Sequence, residues 1–250
     1  RIFLAGDAAH RFPPTGGMGM NTGMQDVFNL CWKIARVVNG TSAVALLDSY
    51  EHERRPSVER NCEQSRVNFQ KMSQVEEAIG ISSNAEKTRE NLNLLDIDDT
   101  HSQQRRERIQ QSIDAQRDHF FMLGMDLGVC YDGALIQTCP EEAPQNNYRA
   151  SEYNPSSAAG NRLPHCWLQE GDKQLSTHDI VASVKLTLLT TSDGYQQWAQ
   201  ALTDTGTDNI EMQIIGSAHL APADDGWDTL IGIKQYGALL IRPDRHIASR

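Results

Sequence analysis

The sequence predicts an α/β protein, and three features indicate this class. A short apolar run at residues 2–5 is followed by a glycine-rich loop and an amphipathic helical pattern. Between residues 184 and 248, apolar runs typical of buried strands alternate with a second helical pattern. The composition, 39% hydrophobic and 22% charged residues in a chain of 250, is that of a globular protein.

The acidic balance of the chain limits its partners. A formal net charge of −10 argues against a nucleic acid or an anionic membrane, because both attract positively charged surfaces. No run approaches the roughly 18 apolar residues that a membrane-spanning helix needs. We therefore expect a cytoplasmic protein without a nucleic-acid or membrane partner.

Metal and disulfide sites are not predicted. The five cysteines are an odd number, widely spaced and without a C-x-x-C pair, which indicates neither a disulfide framework nor a zinc site. His10 and Asp7 could ligate a metal ion, but no second histidine lies nearby in the sequence. The cysteines are Cys31, Cys62, Cys130, Cys139 and Cys166.

The first elements follow from hydrophobic periodicity. Residues 2–5 predict a buried strand that ends at Gly6. A helix is predicted to begin near Thr22, capped by Asn21 or Thr22 and ended by Asn39 and Gly40. Its apolar residues recur at i, i+3, i+4 and i+7, which predicts that this stripe faces the core. The stripe consists of Met24, Val27, Phe28, Cys31, Ile34, Ala35 and Val38.

The middle of the chain predicts helices and a connection. Residues 43–72 consist mostly of helix formers and predict one long helix, kinked or broken near Arg55 because Pro56 follows. Residues 73–118 are polar and predict surface helices joined by loops. Residues 119–170 have little periodicity and several turn signals, which favours a linker between domains.

The last part of the chain predicts a small α/β domain with a mixed sheet. Its apolar patterns predict, in order, a strand, a helix, a second strand and then a hairpin. The predicted elements are strands at 184–191, 210–216 and 237–244, a helix at 194–202, and a fourth strand that begins at His246.

The stretch GDAAHRFPPTGGMGMNTGMQD, residues 6–26, predicts a ligand site at the start of the first helix. Backbone N–H groups converge there, and the helix dipole adds about half a positive charge, which stabilises an anion or a ring that becomes anionic. Asp7 could accept hydrogen bonds from sugar-like hydroxyls. The spacing alone leaves a cofactor loop and a purely structural helix entry equally open, because neither a G-x-G-x-x-G nor a P-loop pattern is complete.

Residues 1–40, RIFLAGDAAHRFPPTGGMGMNTGMQDVFNLCWKIARVVNG, resemble the second FAD-binding motif of the flavin-dependent aromatic hydroxylases. These are class A monooxygenases of the phenol hydroxylase and 2,4-dichlorophenol 6-monooxygenase branch. The resemblance implies a Rossmann-like FAD-binding domain in which Asp7 binds the ribityl chain of FAD. It also implies a loop along the isoalloxazine ring, formed by Pro13, Pro14, Gly16, Gly17, Gly19, Met20 and Asn21. The motif continues as D-x-x-N-L-x-W-K at residues 26–33, where Trp32 is expected to be structural.

The other end of the chain resembles the same family. SSAAGNRLPHCWL at 156–168 and YGALLIRPDRHIASR at 236–250 are similar to the opening and closing segments of the C-terminal domain in the phenol hydroxylase branch. The resemblance implies a thioredoxin-like domain without C-x-x-C, and a turn at 242–244 with a structural Arg242–Asp244 salt bridge. The expected organisation is a FAD-binding portion at 1–125, a linker and domain entry at 126–170, and the thioredoxin-like domain at 171–250.

The activity that the resemblance implies is hydroxylation of a phenolic or other aromatic substrate. NAD(P)H reduces FAD, and a flavin C4a-hydroperoxide formed with O2 transfers the hydroxyl group; no catalytic side chain is predicted. Two alternatives stay open. One is a polyketide-tailoring hydroxylase or epoxidase of the same flavin family, and the other is a non-catalytic interaction module, with a homodimer formed through the C-terminal domain.

The chain is interpreted as a C-terminal fragment of a longer protein. It opens at Arg1 directly in an apolar run, and its 250 residues contain neither the family's first FAD motif, G-x-G-x-x-G, nor its D-G motif. The isolated chain is therefore expected to bind FAD weakly, if at all, and to have no hydroxylase activity.

Overall fold

Helices form most of the first half of the chain, and the described strands all lie in the last third, in a computed structural model that describes residues 1–138, 149–216 and 220–250. The predicted α/β class is confirmed, and Cys139 lies outside the described residues. The helices are α1 (Met18–Val38), α2 (Ser49–Ile79), α3 (Ala85–Asn93), α4 (Thr100–Asp114), α5 (Arg117–Phe120), α6 (Leu123–Leu127), α7 (Tyr195–Thr205) and α8 (Gly226–Leu230), with 3-10 turns at Gly6–Ala8, Val44–Asp48 and Leu94–Asp96. In the described ranges, no helix combines the length and the apolar character needed to cross a membrane.

The two long helices of the first half are present, with changed starts. α1 begins at Met18, and its N-cap is Gly17 in the left-handed conformation (φ 63°, ψ 21°) instead of the predicted Asn21 or Thr22. Asn21 lies inside the helix, where its Nδ2 donates to the Gly17 carbonyl at 3.1 Å. α2 continues without a break through Pro56, so the single long helix is confirmed, although residues 44–48 form a 3-10 turn before it.

The predicted orientation of α1 is wrong. Its apolar stripe is exposed: Val27 and Phe28 are about half exposed and Val38 is 77% exposed. The opposite, mostly polar face is buried, because its side chains hydrogen-bond to α2 and to residues near 244. The buried residues of α1 are Met18, Thr22, Asp26, Asn29, Leu30, Trp32, Lys33 and Arg36.

The predicted strand at residues 2–5 does not form among the described residues. The backbone of Ala5 is extended (φ −143°, ψ 153°), but no described strand pairs with this segment. Ile2 is 91% exposed and Leu4 56% exposed, so the run is not buried either. A strand needs a neighbouring backbone to complete its hydrogen bonds. Within the described ranges, the hydrogen bond that reaches this segment comes from the Tyr50 hydroxyl, which donates to the Leu4 carbonyl at 2.8 Å.

The predicted mixed sheet is confirmed in the last third of the chain. Its strands are β3 (Leu186–Thr191), β4 (Ile210–Ile215), β6 (Ala238–Ile241) and β7 (Ile247–Ser249), in the order β4-β3-β6-β7. β3 and β4 are parallel and joined through α7, whereas β6 pairs antiparallel with both β3 and β7. This β-α-β unit with an added antiparallel hairpin is the strand order of a thioredoxin-like sheet.

A second, three-stranded sheet was not predicted. It consists of β1 (Trp167–Glu170), β2 (Lys173–Ser176) and β5 (Ala221–Pro222), in the antiparallel order β2-β1-β5. Strands of two to four residues leave too short an alternation to be found in the sequence. Leu163, Cys166 and Leu168, from the segment predicted as a linker, are buried in one core with residues of the larger sheet.

His178, which follows β2, makes the stability of this part of the fold depend on pH. Its Nε2 lies 2.7 Å from the Leu163 carbonyl, which can only accept, so Nε2 carries the proton and Nδ1 faces Arg162 Nη2 at 3.3 Å. Burial, together with the charge of Arg162, lowers the pKa of His178 from 6.5 to about 4. A proton on Nδ1 would place two cationic groups in contact.

Acidification is therefore expected to destabilise the chain through His178. The unfolded histidine takes up a proton before the folded one, so this contribution is complete above pH 6.5 and is lost as the pH falls toward 4. Relative to His178→Gln, the parent chain should lose on the order of 2 kcal/mol of unfolding free energy between about pH 7 and about pH 4, allowing for the solvent that reaches this half-buried ring. Urea unfolding at several pH values measures the difference. His101→Gln, on an exposed position of α4, is the control; equal pH profiles for both variants would contradict the assignment.

Candidate cofactor-binding site

The proline-containing part of the loop is held on α2. Ser65 is fully buried, and its Oγ lies 2.7 Å from the Pro13 carbonyl and 2.9 Å from the Thr15 carbonyl. In return, the Thr15 hydroxyl donates to the Ser65 carbonyl at 2.6 Å. These bonds fix the backbone of residues 13–15 against the helix.

Two asparagines of α2 lie against the next residues, and one of them forms a hydrogen bond there. Asn61 Nδ2 donates to Thr22 Oγ1 at 2.9 Å, on the first turns of α1. A Cβ added at Gly16 would lie 3.0 Å from Asn68 Nδ2, so the loop passes close to this side chain. Sequence reasoning missed this support, although a signal was present. Small or polar residues recur along one face of α2, all buried: Glu53, Ser57, Asn61, Ser65 and Asn68.

The start of α1 presents free donors to open space. In a helix, the first four N–H groups have no intrahelical acceptor, and the N-cap Gly17 has no side chain that could cap them. They belong to residues 17–20; the N–H groups of Asn21 and Thr22 are already inside the helix. Gly17 has no heavy atom within 4 Å of an added Cβ, and Met20 is 74% exposed.

The predicted site residues lie on one continuous surface. The Gly6–Ala8 turn packs against α1 so closely that a Cβ added at Gly23 would be 3.1 Å from the Gly6 Cα. Asp7 is exposed, and the described residues offer its carboxylate no hydrogen-bond partner. The other seven predicted residues are Pro14, Gly17, Met20 and Asn21, which are exposed, and Pro13, Gly16 and Gly19, which are half-buried. In the described part of the chain, no three His, Cys, Asp or Glu side chains are arranged to hold a metal ion.

A buried group beneath this surface, here called the Asp26 cluster, consists of Gly6, His10, Asp26, Arg54 and Tyr131. Asp26 Oδ2 accepts from the Gly6 N–H at 3.1 Å and lies 2.6 Å from His10 Nε2, while Oδ1 accepts from Arg54 Nε at 2.8 Å. Arg54 Nη1 donates to the Tyr131 hydroxyl at 3.2 Å. Burial raises the pKa of Tyr131, so its hydroxyl stays protonated.

A second buried group, the Arg242 cluster, joins α1 and α2 to residues 242–244. The Arg242 guanidinium donates to both Glu53 oxygens at 2.7 and 2.8 Å, and to Asp244 at 2.5 and 3.0 Å. The predicted Arg242–Asp244 salt bridge and the structural role of Trp32 are confirmed, since Trp32 Nε1 donates to Asp244 Oδ2 at 3.1 Å. The members of the cluster are Asn29, Trp32, Lys33, Glu53, Arg242 and Asp244.

The charges of the Arg242 cluster balance. Burial lowers the pKa of Lys33 to about 8, although Glu53 Oε2 lies 2.8 Å from its Nζ and opposes this shift. Burial also disfavours the charged form of Glu53, but the hydrogen bonds and charge of Arg242, with Lys33, outweigh burial and hold the pKa of Glu53 below its usual range. Two carboxylates and two cations thus share one buried site.

Comparisons with protein families match both ends of the chain. Residues 1–65 match the model of the FAD binding domain, and residues 156–250 match that of the aromatic-ring hydroxylase C-terminal domain. Together the two matches cover more than half of the chain. The first contains the loop and α1, and the second contains residues 242–246.

Individual relatives agree with these matches. The chain is 29% identical over 257 residues to phenol 2-monooxygenase of Pseudomonas sp. (strain EST1001), with 100% of this chain and 42% of the relative covered. It is 31% identical over 259 residues to 2,4-dichlorophenol 6-monooxygenase of Cupriavidus pinatubonensis (strain JMP 134 / LMG 1197), with 100% and 43% covered.

A solved structure shares the fold. The flavin-dependent monooxygenase PieE, crystallised with FAD and substrate, superimposes with a TM-score of 0.90 at 30% identity, over 100% of this chain and 44% of PieE. The chain thus spans less than half the length of the relatives it matches. With one end matched to the FAD binding domain and the other to the aromatic-ring hydroxylase C-terminal domain, the chain is a relative of the FAD-dependent aromatic-ring hydroxylases.

Proposed function

We propose that the chain forms part of a FAD-dependent monooxygenase that hydroxylates a phenolic or other aromatic substrate with NAD(P)H and O2. The observation that carries the proposal is the start of α1, where free N–H groups beside an anchored loop face open space. The relatives named phenol 2-monooxygenase and 2,4-dichlorophenol 6-monooxygenase support the reaction class.

The donor set fits one end of FAD. The N–H groups of residues 17–20, at the positive end of a 21-residue helix, suit the edge of the isoalloxazine ring that becomes negative on reduction. The free carboxylate of Asp7 suits the ribityl hydroxyls. In this proposal Pro14, Gly16, Gly17, Gly19, Met20 and Asn21 form the wall along the ring. Bound FAD would supply the redox chemistry, and the chain would hold the ring and stabilise its charge.

The proposal predicts which end of FAD the chain recognises. In a nuclear magnetic resonance titration of the 250-residue chain, riboflavin should shift the backbone amides of Asp7 and residues 16–21, with an affinity in the millimolar range or weaker. ADP, which lacks the ring and the ribityl chain, should leave these amides unchanged. Asp7→Asn should weaken riboflavin binding by about tenfold, because a charged acceptor of hydroxyl hydrogen bonds is lost.

The control variant is Asp172→Asn, an exposed carboxylate in the turn between β1 and β2. Equal riboflavin affinity for Asp7→Asn and Asp172→Asn, or shifts produced equally by ADP, would overturn the assignment of the loop. For a polypeptide of the relatives' length that contains this chain, the expected readout is NAD(P)H oxidation and O2 uptake stimulated by an aromatic substrate.

The proposal also includes organisation and assembly. We retain the division into 1–125, 126–170 and 171–250, with the addition that Leu163 and Leu168 pack into the core of the third part. A homodimer through this part is supported by an aromatic surface: Tyr195 and Tyr236 are exposed, and Trp198 Nε1 donates to the Tyr236 carbonyl. Sedimentation velocity over a range of concentrations tests the dimer. A requirement for NAD(P)H, an intracellular co-substrate, would place the protein in the cytoplasm.

A further inference from the structure

We propose that Asp26 is a positioning residue for the turn that carries Asp7, and that Arg54 and Tyr131 in turn fix Asp26, so that residues 242–246 influence the geometry of the loop. That the loop binds a flavin rests on the function proposed above. The hydrogen bonds that position the turn do not depend on that function.

The first step of the argument is the turn itself. The Gly6 carbonyl accepts from the N–H groups of Ala9 and His10 at 2.8 and 3.0 Å, which closes the turn around Asp7. The Gly6 N–H donates to Asp26 Oδ2, and His10 Nε2 contacts the same oxygen. A single carboxylate oxygen therefore holds both ends of the turn. Asp26 is 1% exposed, so water does not offer an alternative partner.

The second step is the orientation of that carboxylate. Arg54 is 2% exposed, and its Nε donates to Asp26 Oδ1. Its Nη2 lies 3.4 Å from the Thr22 carbonyl and 3.2 Å from Gln25 Oε1. The remaining nitrogen, Nη1, donates to the Tyr131 hydroxyl, so each of the three guanidinium nitrogens forms a hydrogen bond. The planar geometry of arginine then fixes the direction from which Asp26 is bound.

The third step leads to the C-terminal part. Tyr131 is 4% exposed, and its ring packs against two residues of that part. The Arg242 guanidinium is 5.2 Å from the ring centroid, and the His246 ring centroid is 4.1 Å away. A displacement of residues 242–246 would therefore move Tyr131, and through Arg54 the carboxylate that holds the turn. Three buried side chains connect the two parts of the molecule.

The variant that tests the first link is Asp26→Asn, measured in the absence of flavin. The amide has the shape of the carboxylate, but its NH2 group must face either the Gly6 N–H or Arg54, so one donor meets another donor in both orientations. We expect the Gly6 amide proton to move upfield and the amides of Gly6, Ala9 and His10 to exchange with solvent about tenfold faster. A side chain that served only to neutralise Arg54 would not produce this local spectroscopic signature.

The variant that tests the remote link is Tyr131→Phe, which keeps the ring and removes the hydroxyl. The Gly6 resonance should move in the same direction, with exchange of the turn amides about twofold to fivefold faster. The matched control is Tyr153→Phe, a half-buried tyrosine outside both clusters, which should leave the Gly6 signature unchanged.

The outcomes separate this inference from the flavin proposal. An unchanged Gly6 resonance and exchange rate in Tyr131→Phe would overturn the positioning chain even if riboflavin binds to the parent. If Asp26→Asn does not fold, Tyr131→Phe alone decides. If the parent does not bind riboflavin, the flavin proposal fails, and the Gly6 signature still reports on the positioning of the turn. If both proposals are correct, Asp26→Asn should also lower the affinity for riboflavin, measured from the amide shifts at residues 16–21, by about tenfold.

Discussion

Arg242→Met is expected to lower the free energy of unfolding of the chain by about 3–5 kcal/mol. Arg242 is 1% exposed and donates four hydrogen bonds to Glu53 and Asp244. Its removal leaves two buried carboxylates with Lys33 as the remaining cation of the cluster. The loss of stability therefore comes chiefly from buried negative charge that has lost its cationic partner, and only in small part from lost packing.

Urea unfolding at neutral pH, followed by circular dichroism and by tryptophan emission, measures this effect. The control is the same substitution at Arg55, which forms ion pairs with Glu51 and Glu59 but is largely exposed. Exposed pairs contribute little, so Arg55→Met should leave the free energy of unfolding nearly unchanged. Similar costs at the two positions would contradict a buried, coupled role for Arg242.

A double-mutant cycle sharpens the same prediction. In Glu53→Gln combined with Arg242→Met, the unpaired charge at Glu53 is absent, so the double variant should be more stable than the sum of the single effects by about 2 kcal/mol. Strict additivity would mean that the two side chains stabilise the fold independently. That result would exclude the bidentate pair as the contact that joins α2 to residues 242–244.

The sequence predicts the four-stranded mixed sheet of the last third for a physical reason. Strands β3 and β6 are largely buried and appear in the sequence as mostly apolar runs, whereas β4 alternates apolar and polar residues before it ends in two isoleucines. α2 is also predictable, because helix formers dominate it and Pro56 is tolerated in a long helix that packs along its length. These signals are local, and local patterns are what a sequence shows directly.

The orientation of α1 could not be predicted in the same way. Its buried face is held by contacts such as Trp32 to Asp244, which are 212 residues apart in the chain. Nothing near Trp32 in the sequence reveals that partner. The apolar stripe was the stronger local signal, yet it lies on the exposed side. The site loop was recognised from its residues, whereas its supports Ser65 and Asp26 became evident only from their contacts.

The second large effect is expected at Gly160, which lies between the two parts joined by Tyr131. Its N–H donates to the Ile247 carbonyl at 2.8 Å, and its carbonyl accepts from the Tyr131 N–H at 2.9 Å. Its φ is +92°, and an added Cβ would lie 2.3 Å from the Tyr131 carbonyl oxygen. Gly160→Ala should therefore cost about 3–5 kcal/mol, because backbone strain and a steric overlap that no flexible side chain can relieve both apply.

The matched control, Gly171→Ala, separates these two causes. Gly171 also has a positive φ, +57°, but no heavy atom lies within 4 Å of an added Cβ. Its substitution should cost only the strain of the left-handed conformation, about 1 kcal/mol. The excess at Gly160 measures how tightly the backbone of Tyr131 is held against β7. Because Tyr131 also contacts Arg54, a folded Gly160→Ala variant should show the altered Gly6 amide resonance of Tyr131→Phe, whereas Gly171→Ala should not. A large loss of stability without that spectral change would mean that the Gly160 backbone stabilises the C-terminal part alone.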